Sequence, residues 1–165
     1  VLGPDLTDDH RTDLANQICA EADVLLPQMR KPIPGAAESV IRLAELGLRI
    51  AVCSSSPRRH ILAALDQLGL VGHVRAIVSG ADLPRGKPDP LPYLETLRLL
   101  DLGQAEAFAV EDALPGVISA DAAGLTVVGI GQKSLAPGFA AYCRVRLPDF
   151  ASFDRMVEAS IRSFH

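Results

Sequence analysis

Three groups in this sequence suit the handling of a phosphate and a divalent cation: the hydroxyl of Ser54, the ammonium of Lys87, and the adjacent carboxylates of Glu111 and Asp112. A phosphoryl group gains negative charge in its transition state. A fixed cation, hydrogen-bond donors and a metal, all held in position, lower that barrier. Mg²⁺ prefers oxygen ligands and takes one or two carboxylates, completing its shell with water and phosphate oxygens. Taken singly, each group also has an ordinary reading. Ser54, Ser55 and Ser56 would cap the next helix, Gly86-Lys87-Pro88-Asp89-Pro90 reads equally as an exposed turn, and Asp112 would cap a helix near residue 115.

Placement along the chain separates the two readings. Helix 36–46 should end at Gly47, where a glycine accepts the left-handed backbone of a helix C-terminus. Leu48 to Cys53 is an apolar run broken only by Arg49, and Ser54-Ser55-Ser56-Pro57 closes it with turn chemistry. The cycle continues with helix 58–68, strand 74–78, loop 79–89, helix 90–100, strand 106–110, helix 115–123, strand 125–130 and a short strand at 143–147. Alternating strands and helices imply right-handed crossovers and a parallel sheet covered on both faces, a Rossmann-like three-layer α/β/α fold. Ligands of such sheets sit beyond the carboxyl ends of the strands. Ser54, Lys87 and Glu111-Asp112 each fall at such an end.

The first 33 residues are of another kind. Asp8, Asp9, Arg11 and Asp13 interleave with Leu14, Ile18, Ala22, Leu25 and Leu26 in a helical, amphipathic pattern after the plausible cap Thr7. The pattern stops at Lys31-Pro32-Ile33-Pro34-Gly35. Two parts are expected, residues 1–33 and residues 34–165.

Ile50-Ala51-Val52-Cys53-Ser54-Ser55-Ser56-Pro57, Gly86-Lys87-Pro88-Asp89-Pro90 and Val110-Glu111-Asp112-Ala113-Leu114-Pro115-Gly116 resemble the second, third and fourth motifs of the haloacid dehalogenase superfamily. The likeness is greatest to its branch with a helical cap, which includes beta-phosphoglucomutase-like enzymes and small phosphatases such as phosphoglycolate phosphatase. Gly116 to Gly124 is similar to the helix that follows the acidic pair in that branch, and Pro34-Gly35 resembles its return from cap to core. The resemblance implies that Ser54 hydrogen-bonds the transferring phosphoryl, with the Ser55 backbone N–H in reach of it. Lys87 would neutralise its charge, and Asp112 would ligate Mg²⁺ with Glu111 assisting. It also implies that residues 1–33 are part of a helical cap.

The same resemblance leaves a gap. The family's first motif is an apolar strand ending in two aspartates one residue apart, the first a nucleophile and the second a general acid and base. Only Asp5 stands near the N-terminus, and Val1-Leu2 before Gly3-Pro4 does not make a buried strand. In the family that strand lies between those ending at Ser54 and Asp112. Its absence leaves two interior edges, with unsatisfied groups costing on the order of 1–3 kcal/mol each. Either the neighbours close up and pair, or the chain is a piece of a longer one. Two functions are therefore expected: a phosphatase or phosphosugar mutase, incomplete in this chain, or a non-catalytic phosphate-binding or protein-interaction module. Metal-independent dehalogenation is disfavoured by the acidic pair and the Lys87 loop.

Composition bounds the partners. A chain of 165 residues, 48% hydrophobic and 22% charged, suits one globular core, and its net charge of −4 offers no basic footprint for nucleic acid or an anionic membrane. A small phosphorylated metabolite is the expected partner, and an exposed sheet cleft would encourage self-association. Cys19, Cys53 and Cys143 lack zinc or disulfide spacing, with Cys53 read as core packing. His10, His60, His73 and His165 stand in no strand-end motif. No apolar run approaches the roughly 20 residues of a membrane span, and no secretory pattern opens the chain, so the cytoplasm is the expected compartment.

Overall fold

A computed structural model describes residues 7–29 and 31–162, which divide into two units between Lys31 and Pro32. That is two residues before the boundary the sequence suggests. The first unit is one helix, α1 (Asp8–Met29). Thr7 caps it as expected: its Oγ1 accepts the His10 backbone N–H at 3.3 Å and lies 3.0 Å from His10 Nδ1. Its apolar residues Ile18, Val24, Leu25 and Met29 are exposed. Asp5, the N-terminal aspartate singled out above, and His165 lie outside the described residues.

The second unit alternates as the turn chemistry requires. It runs α2 (Ala36–Glu45), β1 (Ala51–Ser54), α3 (Arg58–Gln67), β2 (Ala76–Ser79), α4 (Leu91–Leu100), β3 (Phe108–Glu111), α5 (Leu114–Ala122), β4 (Thr126–Ile130), β5 (Val145–Leu147) and α6 (Phe150–Arg162). Gly47 ends α2 with φ +86°, and the N–H groups of Gly47 and Leu48 return to the carbonyls of Ala44 and Leu43 at 2.9 and 3.1 Å. The first three strands start two or three residues later than the apolar runs suggest. Ahead of β1, Arg49 turns aside to donate to the Leu100 carbonyl at 2.7 Å. Ahead of β3, Gln104–Glu106 closes a 3₁₀ turn in which Glu106 Oε2 accepts the Gly103 N–H at 2.7 Å.

All strand pairs are parallel, and they fall into two sheets, parted between the strands ending at Ser54 and Glu111. β1 pairs with β2, Ala51 opposite Ala76 and Ser54 opposite Ser79. β3 pairs with β4 and β4 with β5, Glu111 opposite Gly129. β1 and β3 do not pair, so direct closure of the two edges is not what the chain adopts. Between them lies a cavity of about 580 Å³, with Ile50 and Ala51 on one side, Phe108 and Val110 on the other, and Leu97 and Phe153 among its walls.

Alternation along the strands builds the layers. Cys53, Ala109 and Val127 face the core shared with α4 and α5, where Val117 and Ala120 are fully buried. Val52 and Ile77 face α2 and α3, while Val110 and Val128 face Leu43 of α2 and Phe153 of α6. Mixed α/β architecture with parallel strands between helices is thus the fold, and it sets the carboxyl ends of β1, β2 and β3 at one rim.

Candidate functional site

Residue 54 ends β1 and residue 111 ends β3, so the Ser54 hydroxyl and the Glu111-Asp112 pair are held by backbone that the two sheets fix. Ser54 Oγ accepts the Ser56 N–H at 3.2 Å, making the turn out of β1, and Ser79 Oγ donates to the Ser56 carbonyl at 3.0 Å. The loop after β2 is pinned at its far end. Asp89 Oδ1 accepts the Leu91 N–H at 2.9 Å at the start of α4, and its carbonyl accepts from Ser119 Oγ at 2.6 Å. The Lys87–Pro88 peptide is cis.

That loop turns Lys87 inward. Its Nζ donates to the Cys53 carbonyl at 2.9 Å, to Glu111 Oε1, and to Tyr93 Oη at 3.4 Å, with the Tyr93 ring centroid 4.8 Å away. The Lys87 and Glu111 side chains are only 8% and 9% exposed. Tyr93 Oη also donates to Glu111 Oε1, so one carboxylate oxygen collects two donors. Burial, reinforced by the Glu111 charge, pushes the Tyr93 hydroxyl far above its ordinary range, and it keeps its proton. Burial likewise raises the Cys53 thiol, with Lys87 opposing, which suits a packed thiol rather than a nucleophile.

Ser54, Ser55, Lys87, Glu111 and Asp112, the residues chosen from the sequence, all line one cavity of about 400 Å³ at the rim, together with Cys53, Val110 and Gly116. Val110 and Asp112 also line the larger apolar cavity between β1 and β3. Asp112 is exposed and makes no hydrogen bond or ion pair with the described residues. Its partner Glu111 is instead engaged by Lys87 and Tyr93. This donor set fits Mg²⁺ in kind: one exposed carboxylate oxygen site, a second carboxylate adjacent, and hydroxyl and main-chain groups opposite. Among the described residues no three His, Cys, Asp or Glu side chains gather in a metal cluster.

The sequence reading assigned no role to two residues at the site, Tyr93 and the motif residue Gly116. Tyr93 sits on the buried face of α4, six residues after Lys87, where an aromatic reads simply as core. Gly116 carried a signal: glycine in a helix costs about 1 kcal/mol relative to alanine and marks a close approach. A Cβ built there would lie 2.1 Å from Glu111 Oε2, so the carboxylate occupies the space. His60 lies on α3 and His73 in a 3₁₀ turn, neither of them lining the rim cavity, and His10 lies on α1 of the first unit.

The profile of the family described as haloacid dehalogenase-like hydrolase matches residues 8–130. The chain is 32% identical over 119 residues to validoxylamine A 7'-phosphate phosphatase of Streptomyces hygroscopicus subsp. limoneus, covering 70% of this chain and 56% of that protein. It is 34% identical over 100 residues to beta-phosphoglucomutase of Bacillus subtilis, covering 61% of this chain and 43% of that one. Among solved structures, CbbY from Rhodobacter sphaeroides in complex with phosphate superposes with a TM-score of 0.67 at 28% identity, over 73% of this chain and 55% of that one. The chain therefore spans about half the length of the curated relatives it matches.

Proposed function

The chain belongs to the haloacid dehalogenase-like hydrolase family, and from that premise we propose that it carries the phosphate- and Mg²⁺-binding side of the catalytic centre of a phosphatase or phosphosugar mutase. The substrate is a small phosphorylated metabolite. The observation that carries this reading is the rim cavity, where Ser54, Ser55, Lys87, Glu111 and Asp112 converge from three strand ends. Ser54 donates to a phosphoryl oxygen, the Ser55 N–H adds a second donor, and Lys87 faces the charge that develops on transfer. Asp112 would hold Mg²⁺ with Glu111 assisting, and the bound cation would supply charge neutralisation to the phosphoryl oxygens. A relative named for a phosphate ester substrate, another named as a phosphoglucomutase, and a neighbour solved with phosphate all favour this ligand class.

The nucleophile of this reading comes from the cavity between β1 and β3. One more parallel strand seated there would end beside Ser54 and Asp112 and bring an aspartate to the rim. Residues 1–33 then belong to a helical cap and residues 34–165 to the core. A second reading, phosphate binding without turnover, is favoured by one observation: among the described residues the only carboxylates lining the rim cavity are Glu111 and Asp112.

Hydrolysis of an aryl phosphate with and without Mg²⁺ tests both, on the 165-residue chain and on a chain extended by an apolar strand ending Asp-x-Asp. The extended chain should turn over only with Mg²⁺, and Lys87→Ala and Asp112→Ala should each abolish it. Turnover absent throughout, with inorganic phosphate still raising the Tm, selects the second reading. Neither turnover nor a phosphate-dependent shift would end both.

A further inference from the structure

We infer that Tyr93 is a positioning residue for Lys87: its hydroxyl anchors the Glu111 carboxylate that holds the lysine ammonium at the end of β1. The inference rests on the phosphate site proposed above, although its test needs no substrate.

A lysine ammonium on a four-carbon stem is a poor fixed charge unless something holds it. Here Lys87 has three N–H donors and three acceptors: the Cys53 carbonyl at 2.9 Å, Glu111 Oε1, and Tyr93 Oη at 3.4 Å. The first acceptor is backbone and cannot move without β1. The second is a side-chain carboxylate that would swing freely if it had no other tie. Tyr93 provides the tie, because its own proton goes to the same Oε1. Tyr93 cannot turn away, since its ring is packed with Leu97, Ala109 and Val117 in the core and Lys87 Nζ lies over its face.

The three contacts are unequal, and that inequality is useful. Tyr93 Oη accepts from Lys87 over the longest distance of the three, while its donated bond to Glu111 is independent of Lys87. A phosphoryl oxygen arriving at the rim therefore competes with the weakest of the lysine's bonds. Lys87 can hand over that N–H while Glu111 stays anchored. Tyr93 does not line the rim cavity and acts on it through Glu111 and Lys87.

Competitive acylation of the folded chain by acetic anhydride, read by mass spectrometry, tests this. The sequence has three lysines, and Lys31 and Lys133 are exposed internal references. In the native chain Lys87 should label far more slowly than either. Tyr93→Phe keeps the ring and removes the hydroxyl. It should speed Lys87 labelling about two- to tenfold relative to the references, the span expected for one hydrogen bond. Tyr93→Leu, which removes the ring as well, should speed it further. Lys87 labelled at the native rate in Tyr93→Phe would overturn the inference. So would faster labelling accompanied by faster amide exchange throughout α4, β1 and β3, because the hydroxyl would then be a packing element. If neither turnover nor a phosphate-dependent rise in Tm is found, the site reading fails while this labelling result still stands or falls alone.

Discussion

Gly116→Ala sets two effects of opposite sign against each other. Residue 116 is in α5, where alanine is favoured over glycine by up to about 1 kcal/mol. Against this, the new Cβ would lie 2.1 Å from Glu111 Oε2, 2.2 Å from its Cδ and 2.5 Å from Oε1. The carboxylate is the end of a flexible side chain and can swing, but swinging breaks its bonds to Lys87 and Tyr93 inside the protein. Parting a buried ion pair costs about 3–5 kcal/mol. Subtracting the helix gain leaves a net loss of about 2–4 kcal/mol, or a Tm lower by about 5–15 °C for a chain of this size. Urea unfolding monitored by circular dichroism measures it, and the m-value should stay unchanged. A variant as stable as the native chain, or more so, would refute the close approach, because helix propensity alone predicts that result.

Removing one partner of the Lys87–Glu111 pair, in Lys87→Met or Glu111→Leu, should cost about 3–5 kcal/mol. The double variant should cost clearly less than the sum, which a double-mutant cycle in urea would show. Stability should also fall in alkali. Tyr93 and Cys53 are both raised above their ordinary values of 10.0 and 9.0. The unfolded chain therefore loses these protons first. The stabilisation is full below about pH 9 and shrinks as pH rises through 9–10 and beyond, by up to about 1.4 kcal/mol per pH unit for each group. Urea midpoints at pH 8, 9.5 and 11 check this, and Tyr93→Phe should flatten the decline above pH 10.

The order of elements and the rim residues were legible because both rest on local chemistry. Gly47 ends a helix by its own backbone freedom, and Ser54 and Glu111 end strands because apolar runs stop there. The helix α6 was legible too but was not read, although Phe150, Phe153, Met156 and Val157 carry its apolar spacing. The strand starts were less legible, since an apolar residue reaches the layer before its backbone finds a partner, as Leu48 to Ile50 do. The gap between β1 and β3 was legible only through the family resemblance, as one of two outcomes. The role of Tyr93 was not legible at all, because it depends on Oε1 of Glu111, a contact between residues distant in sequence.

The lack of pairing between β1 and β3 has a measurable cost. In a parallel strand the N–H and C=O of a residue point the same way and successive residues alternate. The Ile50 carbonyl accepts the Arg75 N–H at 2.7 Å beside β2, so Ala51 and Cys53 turn their backbone groups to the other edge. Lys87 Nζ meets the Cys53 carbonyl there, at 2.9 Å. By the same alternation Phe108 and Val110, which line the cavity, face it from β3. Roughly seven backbone groups are then left, at about 1 kcal/mol or more each if dry. That approaches the whole stability of a domain, about 5–15 kcal/mol. The chain on its own must therefore admit water between β1 and β3. The amides of Ala51, Cys53 and Val110 should exchange with solvent orders of magnitude faster than those of Val127 and Val128, whose strand is paired on both sides. Adding the strand proposed for the cavity should slow the first set and leave the second unchanged. Slow exchange at Ala51 and Cys53 in the chain alone would mean that the β1 edge is already paired, and the open cavity between the sheets would not exist in solution.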